Sequence, residues 1–276
     1  MIQIIQMIGK MFSYPFIIHA FIVGILVSLC AALLGVSLVL KRFSMIGDGL
    51  SHVSFGALSI AVAFGWAPLP ISIPIVIAAA FFLLRITDNG KMKSDAAIAV
   101  LSSSSLAIGI TVTALTTGMN TDVSSYMFGS ILAMNTTDVI ISIVLSIIVL
   151  LLYLLCYNKI FAVTFDENFA QASGVSVNFY RMVIAVFTAV TIVLGMRMMG
   201  AMLISSLIIF PSLTAMRMVK SFRGVVLCSA MLSVINFCVG LIISFLYATP
   251  TGASIVIINL IVFLIVSMVQ KIREKM

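Results

Sequence analysis

Long apolar runs separated by short polar breaks decide what this chain can fold into. Nine such runs fall at about residues 15–40, 44–65, 68–84, 95–117, 138–158, 179–196, 198–215, 223–247 and 253–270. A helix needs roughly 20 apolar residues to cross the hydrocarbon core of a bilayer, and 63% of the 276 residues are hydrophobic. The sequence therefore predicts an all-α polytopic membrane protein, a single transmembrane domain over residues 1–276 with no separate soluble domain.

Two of the runs are short and meet at the sequence GMRMMG, residues 195–200. One of the two helices is therefore a candidate for a broken or half-depth helix, a feature found where irregular backbone lines a cavity in a membrane protein. The expected number of transmembrane helices is eight to nine.

The positions of the basic residues predict the orientation of the chain. When nine spans are counted, thirteen of the fifteen Lys and Arg residues fall on one side: Lys41, Arg42, Arg85, Lys91, Lys93, Lys159, Arg181, Arg217, Lys220, Arg223, Lys271, Arg273 and Lys275. Cytoplasmic loops carry the excess of Lys and Arg. We therefore expect this side to be cytoplasmic, with the N-terminus outside and the C-terminus inside. Because these charges flank the spans, the net charge of +7 indicates contact with lipid and not with nucleic acid.

The segment MIGDGLSHVSFG, residues 45–56, holds Asp48, the one acidic residue that lies inside a predicted span and not in a loop or at a span end. An ionisable group there is costly unless it pairs or faces water or a ligand, so it marks a functional site. His52 follows four residues later, about one turn away on the same helical face. A carboxylate oxygen with an imidazole nitrogen suits divalent transition metals such as zinc and manganese. Two donors are too few for a tight site, and a transported ion requires a site that it can leave easily. Two copies of the chain would supply four donors.

Two structural explanations compete with a metal site. Asp48 could cap a helix that begins near Gly49, and the nearby Lys41 and Arg42 favour a position close to a helix end. Alternatively, Asp48 and His52 could pair only with each other and so neutralise a buried charge. The spacing alone leaves these three interpretations open.

The longest polar break on the basic side is NKIFAVTFDENFAQASGVSVN, residues 158–178. It is too polar to span a membrane, yet Phe165, Phe169, Ala172 and Val175 recur at helical spacing. The pattern predicts a short amphipathic helix on the cytoplasmic side. Such a helix either packs on lipid or on its own loop, or forms a docking surface for a cytoplasmic partner.

The sequence has no G-x-x-x-x-G-K-[ST] phosphate loop and none of the common hydrolase motifs. The chain is therefore expected to be no enzyme, and if ATP drives its action a separate chain must hydrolyse it. An intramembrane hydrolase built on His52 and Ser51 is disfavoured, because adjacent residues point about 100° apart on a helix.

Several segments together resemble the permease subunits of ABC transporters for zinc, manganese and iron. They occur in the order that this family shows: LLGVSLVLKRFSMIGDGLSHVSFGAL, MKSDAAIAVLSSSSLAIGI, YMFGSIL, FDENFAQASGVSVNFY, MGAMLISSLIIFPSLTAMR and TGASIVI. The resemblance implies an ABC importer permease fold in a bacterial inner membrane and a homodimer around a central pathway. It also implies a cytoplasmic ABC ATPase and an extracytoplasmic metal-binding delivery protein as partners. No permanently bound cofactor is implied, only a transported divalent ion, zinc first and then manganese or iron.

The resemblance also assigns residues. The family's GD-x-x-SH motif falls on Gly47, Asp48, Ser51 and His52, which implies that Asp48 and His52 meet the metal and that Ser51 lies along the pathway. Pro211 matches a family proline that is expected to bend or end a later helix. The ATPase-docking loop of the family falls on residues 165–174, with these positions matching: Phe165, Asp166, Glu167, Phe169, Ala170 and Gly174.

One departure from the family and one rival function stand beside this assignment. Many family members have a proline shortly after the histidine, which HVSFGAL lacks, so the helix after His52 is expected to run straighter. The rival is a secondary carrier that couples metal entry to proton movement through Asp48 and His52. A carrier of that kind needs no ATPase.

Overall fold

The computed structural model describes residues 11, 13–88, 93–116 and 135–273, which form α-helices; the connections within these ranges are short turns. The helices are α1 (Pro15–Leu40), α2 (Ile46–Ala63), α3 (Pro68–Asp88), α4 (Ser94–Thr116), α5 (Thr136–Phe165), α6 (Glu167–Ala172), α7 (Val177–Met199), α8 (Ala201–Met218), α9 (Phe222–Tyr247) and α10 (Thr251–Arg273). Among them, eight are long and apolar enough to cross a membrane. The predicted all-helical membrane fold with eight to nine spans is confirmed. The sequence YMFGSIL, residues 126–132, lies outside the described residues.

The break predicted at GMRMMG lies between α7 and α8. Gly200 alone separates the two helices, with a φ of 86° that side-chain-bearing residues rarely adopt. A Cβ built on Gly195 would meet the side chain of Ile204, so the two helices fold back on each other like a hairpin. α8 is the shorter partner, and its apolar segment Leu203–Met218 is below the length of the eight longer spans.

Side-chain hydrogen bonds fix the register between α1 and α9. The Ser233 hydroxyl donates to the carbonyl of Ser28 at 3.0 Å, and the Ser229 hydroxyl donates to the carbonyl of Ala32 at 3.4 Å. Residue numbers fall along one helix as they rise along the other, so the helices are antiparallel. Small hydroxyl residues let helix backbones approach closely and satisfy polar groups where no water is present.

Ion pairs mark the two ends of the bundle. Near the C-terminus of α1, Lys41 meets Glu167, the first residue of α6, and Arg181 near the start of α7 lies 3.9 Å from the same carboxylate. At the other end, Asp138 in the first turn of α5 pairs with Arg197 in the last turn of α7 at 3.4 Å. We call the first of these the basic end. The structure thus gathers basic residues at one end, and that end's cytoplasmic location stays a prediction.

α5 is longer than its apolar run predicts. The run ends at about residue 158, yet the helix continues to Phe165, because buried Ile160 and Val163 extend its packed stripe beyond the polar Asn158 and Lys159. The amphipathic helix expected in the following break is reduced to the six residues of α6. Phe165 therefore belongs to the end of α5 and not to α6.

α2 and α4 cross at very short range. A Cβ built on Gly56 would lie 2.8 Å from the carbonyl oxygen of Ser105, and one on Gly109 would lie 3.1 Å from the Cα of Gly56. No larger residue fits at either position without moving a backbone. The serines of the SSSS sequence in α4 thus include one whose backbone serves helix packing.

A substitution at this crossing tests its role. Gly56→Val should destabilise the purified protein by about 1–3 kcal/mol, the usual cost of an overpacked core. The measurement is the thermal unfolding midpoint in detergent, compared with Ala63→Val, which adds the same kind of bulk at the partly exposed end of α2. Equal midpoints for the two variants would contradict a close crossing at Gly56.

Candidate metal site

Asp48 and His52 lie on a polar face of α2 that the described residues leave partly open. The helix contacts α3, α4, α7 and α8, and most of its residues are buried. The Asp48 side chain nevertheless keeps 45% exposure and the His52 side chain 17%. Ser59 is also partly exposed, but Phe55, which at 100° per residue points the same way between His52 and Ser59, is buried. The face that carries Asp48 and His52 is therefore open although the helix is largely enclosed.

The glycines on either side of Asp48 explain why this face is narrow. Adjacent residues point about 100° apart on a helix, so Gly47 and Gly49 face away from Asp48 in opposite directions. A Cβ on Gly47 would lie 3.2 Å from Cδ1 of Ile208 in α8, and a Cβ on Gly49 would lie 2.6 Å from Cγ2 of Ile98 in α4. The Gly-Asp-Gly sequence thus lets α8 and α4 close in on both sides, while the carboxylate projects into the gap between them.

The geometry of the pair bears on the three interpretations of its role. α2 begins at Ile46, and its N-cap residue Met45 makes no side-chain cap hydrogen bond, so Asp48 sits inside the first turn and not at the cap position. Asp48 Oδ1 lies 3.8 Å from His52 Nε2, which is ion-pair distance but too long for a hydrogen bond. Two ligands at the usual zinc distances in a tetrahedral site stand about 3.3 Å apart. A small side-chain rotation would bring both donors onto one ion.

The number of donors limits what one chain can do. Within the described parts of the chain, no group of three or more His, Cys, Asp and Glu side chains is placed to hold a metal. The pair thus offers one oxygen and one nitrogen on an open face. An ion held by these two groups would keep its remaining positions for water or for donors from elsewhere.

Ser51 and Pro211 occupy enclosed positions. Ser51 is fully buried, and its hydroxyl donates to the carbonyl of Asp48 at 2.7 Å, so it steadies the first turn of α2. Pro211 lies inside α8, which continues to Met218. The proline therefore does not end the helix, although its missing N–H removes one hydrogen bond from it.

The residues predicted to dock an ATPase divide into supporting and exposed groups. Asp166 is the N-cap of α6, where Oδ1 accepts a hydrogen bond from the backbone N–H of Phe169 at 3.0 Å. Ala170 is buried, and Gly174 takes a φ of 79° in the turn that follows α6. Phe165 and Phe169 are 61% and 66% exposed. The large exposed apolar side chains of this segment are thus the two phenylalanines.

Two ion-pair contacts were not predicted from the sequence. Glu167 meets Lys41 and Arg181 of its own chain, so its carboxylate points toward the helix bundle. Asp138 and Arg197 form a pair in which each side chain is only 9% exposed. A signal for the second pair existed in the sequence, since Arg197 is a rare basic residue opposite the basic end. Its partner lies 59 residues away, which no local pattern reveals.

The bundle of apolar helices, the narrow polar face and the short external helix together define the membrane-spanning subunit of a transporter. Comparison with known families agrees with this class, since the ABC 3 transport family matches residues 13–270. The chain belongs to this family and is a metal-transport permease subunit.

Individual relatives cover nearly the whole chain. The zinc uptake membrane protein ZnuB of Haemophilus influenzae is 28% identical over 91% of this chain and 97% of its own length. The manganese import permease ScaB of Streptococcus gordonii is 30% identical over 94% of this chain and 93% of its own. The solved structure of PsaBC from Streptococcus pneumoniae in complex with a Fab aligns with a TM-score of 0.85 at 30% identity, over 95% of each chain. The resemblance inferred from the sequence is thereby confirmed.

The fit of α4 against Gly49 gives a test of the site that leaves both donors in place. Gly49→Ala should lower metal uptake severalfold, because the added Cβ pushes on Ile98 and shifts the gap into which Asp48 projects. Adding Ile98→Ala should restore most of the uptake by removing the opposing methyl groups. The measurement is metal accumulation in cells, normalised to protein in the membrane, with Ala96→Val on the exposed side of α4 as control. Failure of Ile98→Ala to restore uptake would show that the loss has another cause.

Proposed function

We propose that this chain, as a homodimer, forms the translocation pathway of an ATP-driven importer of a divalent transition metal. Zinc is the first candidate, and manganese or iron the second. The observation that carries the proposal is the open polar face of α2, on which Asp48 and His52 stand between α4 and α8. In lipid such a face is costly unless it meets water, an ion or a second chain.

The incomplete donor set supports a homodimer. Two protomers related by a two-fold axis would bring two copies of Asp48 and His52 together and supply four donors to one ion. Four nitrogen and oxygen donors suit zinc and manganese alike. The names of ZnuB and ScaB associate close relatives with these two metals, which supports the same pair of candidates here.

An ABC ATPase subunit is the proposed cytoplasmic partner, with α6 and the end of α5 as its docking surface. Phe165 and Phe169 supply exposed apolar area there, and buried Ala170 fixes α6 to the bundle beneath it. The basic end would then face the cytoplasm of a bacterium, in agreement with the distribution of Lys and Arg. The opposite end would receive the ion from an extracytoplasmic metal-binding protein.

Removal of either donor tests the metal pathway. Asp48→Ala and His52→Ala should each lower zinc uptake by about tenfold to a hundredfold, in line with the effect of disturbing a metal site. Uptake is measured in proteoliposomes that contain the chain, its ATPase and its delivery protein, with zinc, manganese and iron compared. Asp95→Asn is the matched control, because it removes an exposed carboxylate near the same end. The metal whose uptake falls in both variants is the substrate.

Two outcomes would count against the proposal. Normal uptake in both variants, with normal assembly, would mean that Asp48 and His52 pair only with each other and do not meet the metal. Uptake that needs a proton gradient but no ATPase would instead identify a proton-coupled carrier.

The docking surface is tested by a separate variant. Phe169→Ala should reduce the amount of ATPase that co-purifies with the chain, because exposed aromatic rings supply much of the energy at protein interfaces. The control is Phe179→Ala, which removes a phenylalanine of similar exposure at the start of α7. Equal recovery of the ATPase with both variants would place the docking surface elsewhere.

A further inference from the structure

We propose that Glu167 is a positioning residue that couples the docking helix α6 to α2, the helix that carries Asp48 and His52, by way of Lys41 and Arg181. The inference rests on the proposed function, since it describes how motion of an ATPase would reach the metal pair. It assigns Glu167 to contacts within this chain, whereas the family resemblance places that position on the ATPase-docking surface.

Glu167 connects three helices at once. It is the first residue of α6, its Oε1 accepts a hydrogen bond from Lys41 Nζ, and Arg181 Nε lies 3.9 Å from the same oxygen. Lys41 directly follows the last residue of α1, and Arg181 lies in the second turn of α7. A displacement of α6 would therefore act on the end of α1 and the start of α7 together.

The partial burial of the two cations makes this contact more than a solvent-exposed ion pair. The side chain of Lys41 is 14% exposed and that of Arg181 is 18% exposed. Exposed pairs contribute little because water and salt screen them, and this screening weakens as charges are buried. If Glu167 lost its charge, the two cations would be left near each other without the carboxylate that separates them.

A short, hydrogen-bonded turn links Lys41 to α2. The backbone N–H of Phe43 donates to the carbonyl of Leu38 at 2.9 Å, and the N–H of Ile46 donates to the carbonyl of Phe43 at 3.1 Å. Arg42, which lies between Lys41 and Phe43, adopts the left-handed conformation with a φ of 60°. Such a turn has little freedom to stretch, so movement of Lys41 is passed on to the first turn of α2. That turn contains Asp48.

A cavity beside this turn leaves room for the movement. It measures about 30 Å3 and is lined, among others, by Lys41, Phe43, Ile46 and Arg181. Packed interiors resist displacement because they contain few voids. The gap is bordered by both cations and by Ile46, so the start of α2 is not fully packed on this side.

A double-variant cycle in the complete transporter tests the coupling. Lys41→Gln, Glu167→Gln and the combination are compared in proteoliposomes with the ATPase and the delivery protein, and the ratio of zinc transported to ATP hydrolysed is measured. Each single variant should retain the ATPase but lower this ratio about fivefold, and the combination should be no worse, because partners of one interaction are not additive. Lys220→Gln, which removes an exposed charge from the turn between α8 and α9, is the control.

Hydrogen exchange of the purified chain gives a second readout that does not depend on transport. Lys41→Gln and Glu167→Gln should both speed exchange of the α6 amides, by about threefold to tenfold for a partly buried charged contact. Exchange in α9 should be unchanged. Unaltered α6 exchange in both variants would overturn the proposal.

The remaining outcomes separate this proposal from the function on which it rests. If Glu167→Gln loses the ATPase while Lys41→Gln keeps it, Glu167 is a docking contact and the coupling proposal is wrong. If the wild-type complex transports metal and the variants keep the normal zinc-to-ATP ratio, only the coupling fails. If the wild-type complex transports no metal at all, the proposed function itself fails.

Discussion

The close approach of α2 to its neighbours is the constraint on which the site depends. In lipid there is little hydrophobic drive for one apolar helix to bind another, so tight packing requires small residues at the contacts. Gly47, Gly49 and Gly56 are these small residues on α2, and Gly109 is the corresponding one on α4. With α8 and α4 drawn in on both sides, the carboxylate of Asp48 has a single direction left in which to project. The packing on both sides holds the carboxylate in that one direction, where it would be available to an ion under the proposed function.

The sequence predicted much of this arrangement because the relevant patterns are local. Apolar runs locate the spans, and the cost of charge in lipid identifies Asp48 with its neighbour His52 one turn away. The reason for the flanking glycines was not predictable, because it lies in Ile98 and Ile208, which approach from other helices. The end of α5 was misplaced for a related reason. By hydropathy, Asn158 and Lys159 end the apolar run. The helix nevertheless continues, because Ile160 and Val163 on its packed side are buried.

Long-range charge pairs lay beyond sequence reasoning. Lys41 and Glu167 are 126 residues apart, and Asp138 and Arg197 are 59 apart. A single sequence shows which residues share a helical face, but not which faces meet. The two contacts lie at opposite ends of the bundle. Arg197 of α7 belongs to the second, and Arg181 of α7 lies 3.9 Å from the Glu167 carboxylate of the first. α7 is therefore held by ion pairs near both of its ends, while its middle is packed by apolar side chains.

The position of Asp48 along α2 has a mechanical consequence under the proposed function. The residue lies in the first turn of the helix, near the basic end, and not at its middle. An ion that entered from the opposite end would reach His52 before Asp48. The last protein donors before the cytoplasm would then lie in the turn of α2 that follows Lys41. A site in that place can be opened by a small shift at one end of the helix, so the remainder of α2 can stay packed while the ion is released.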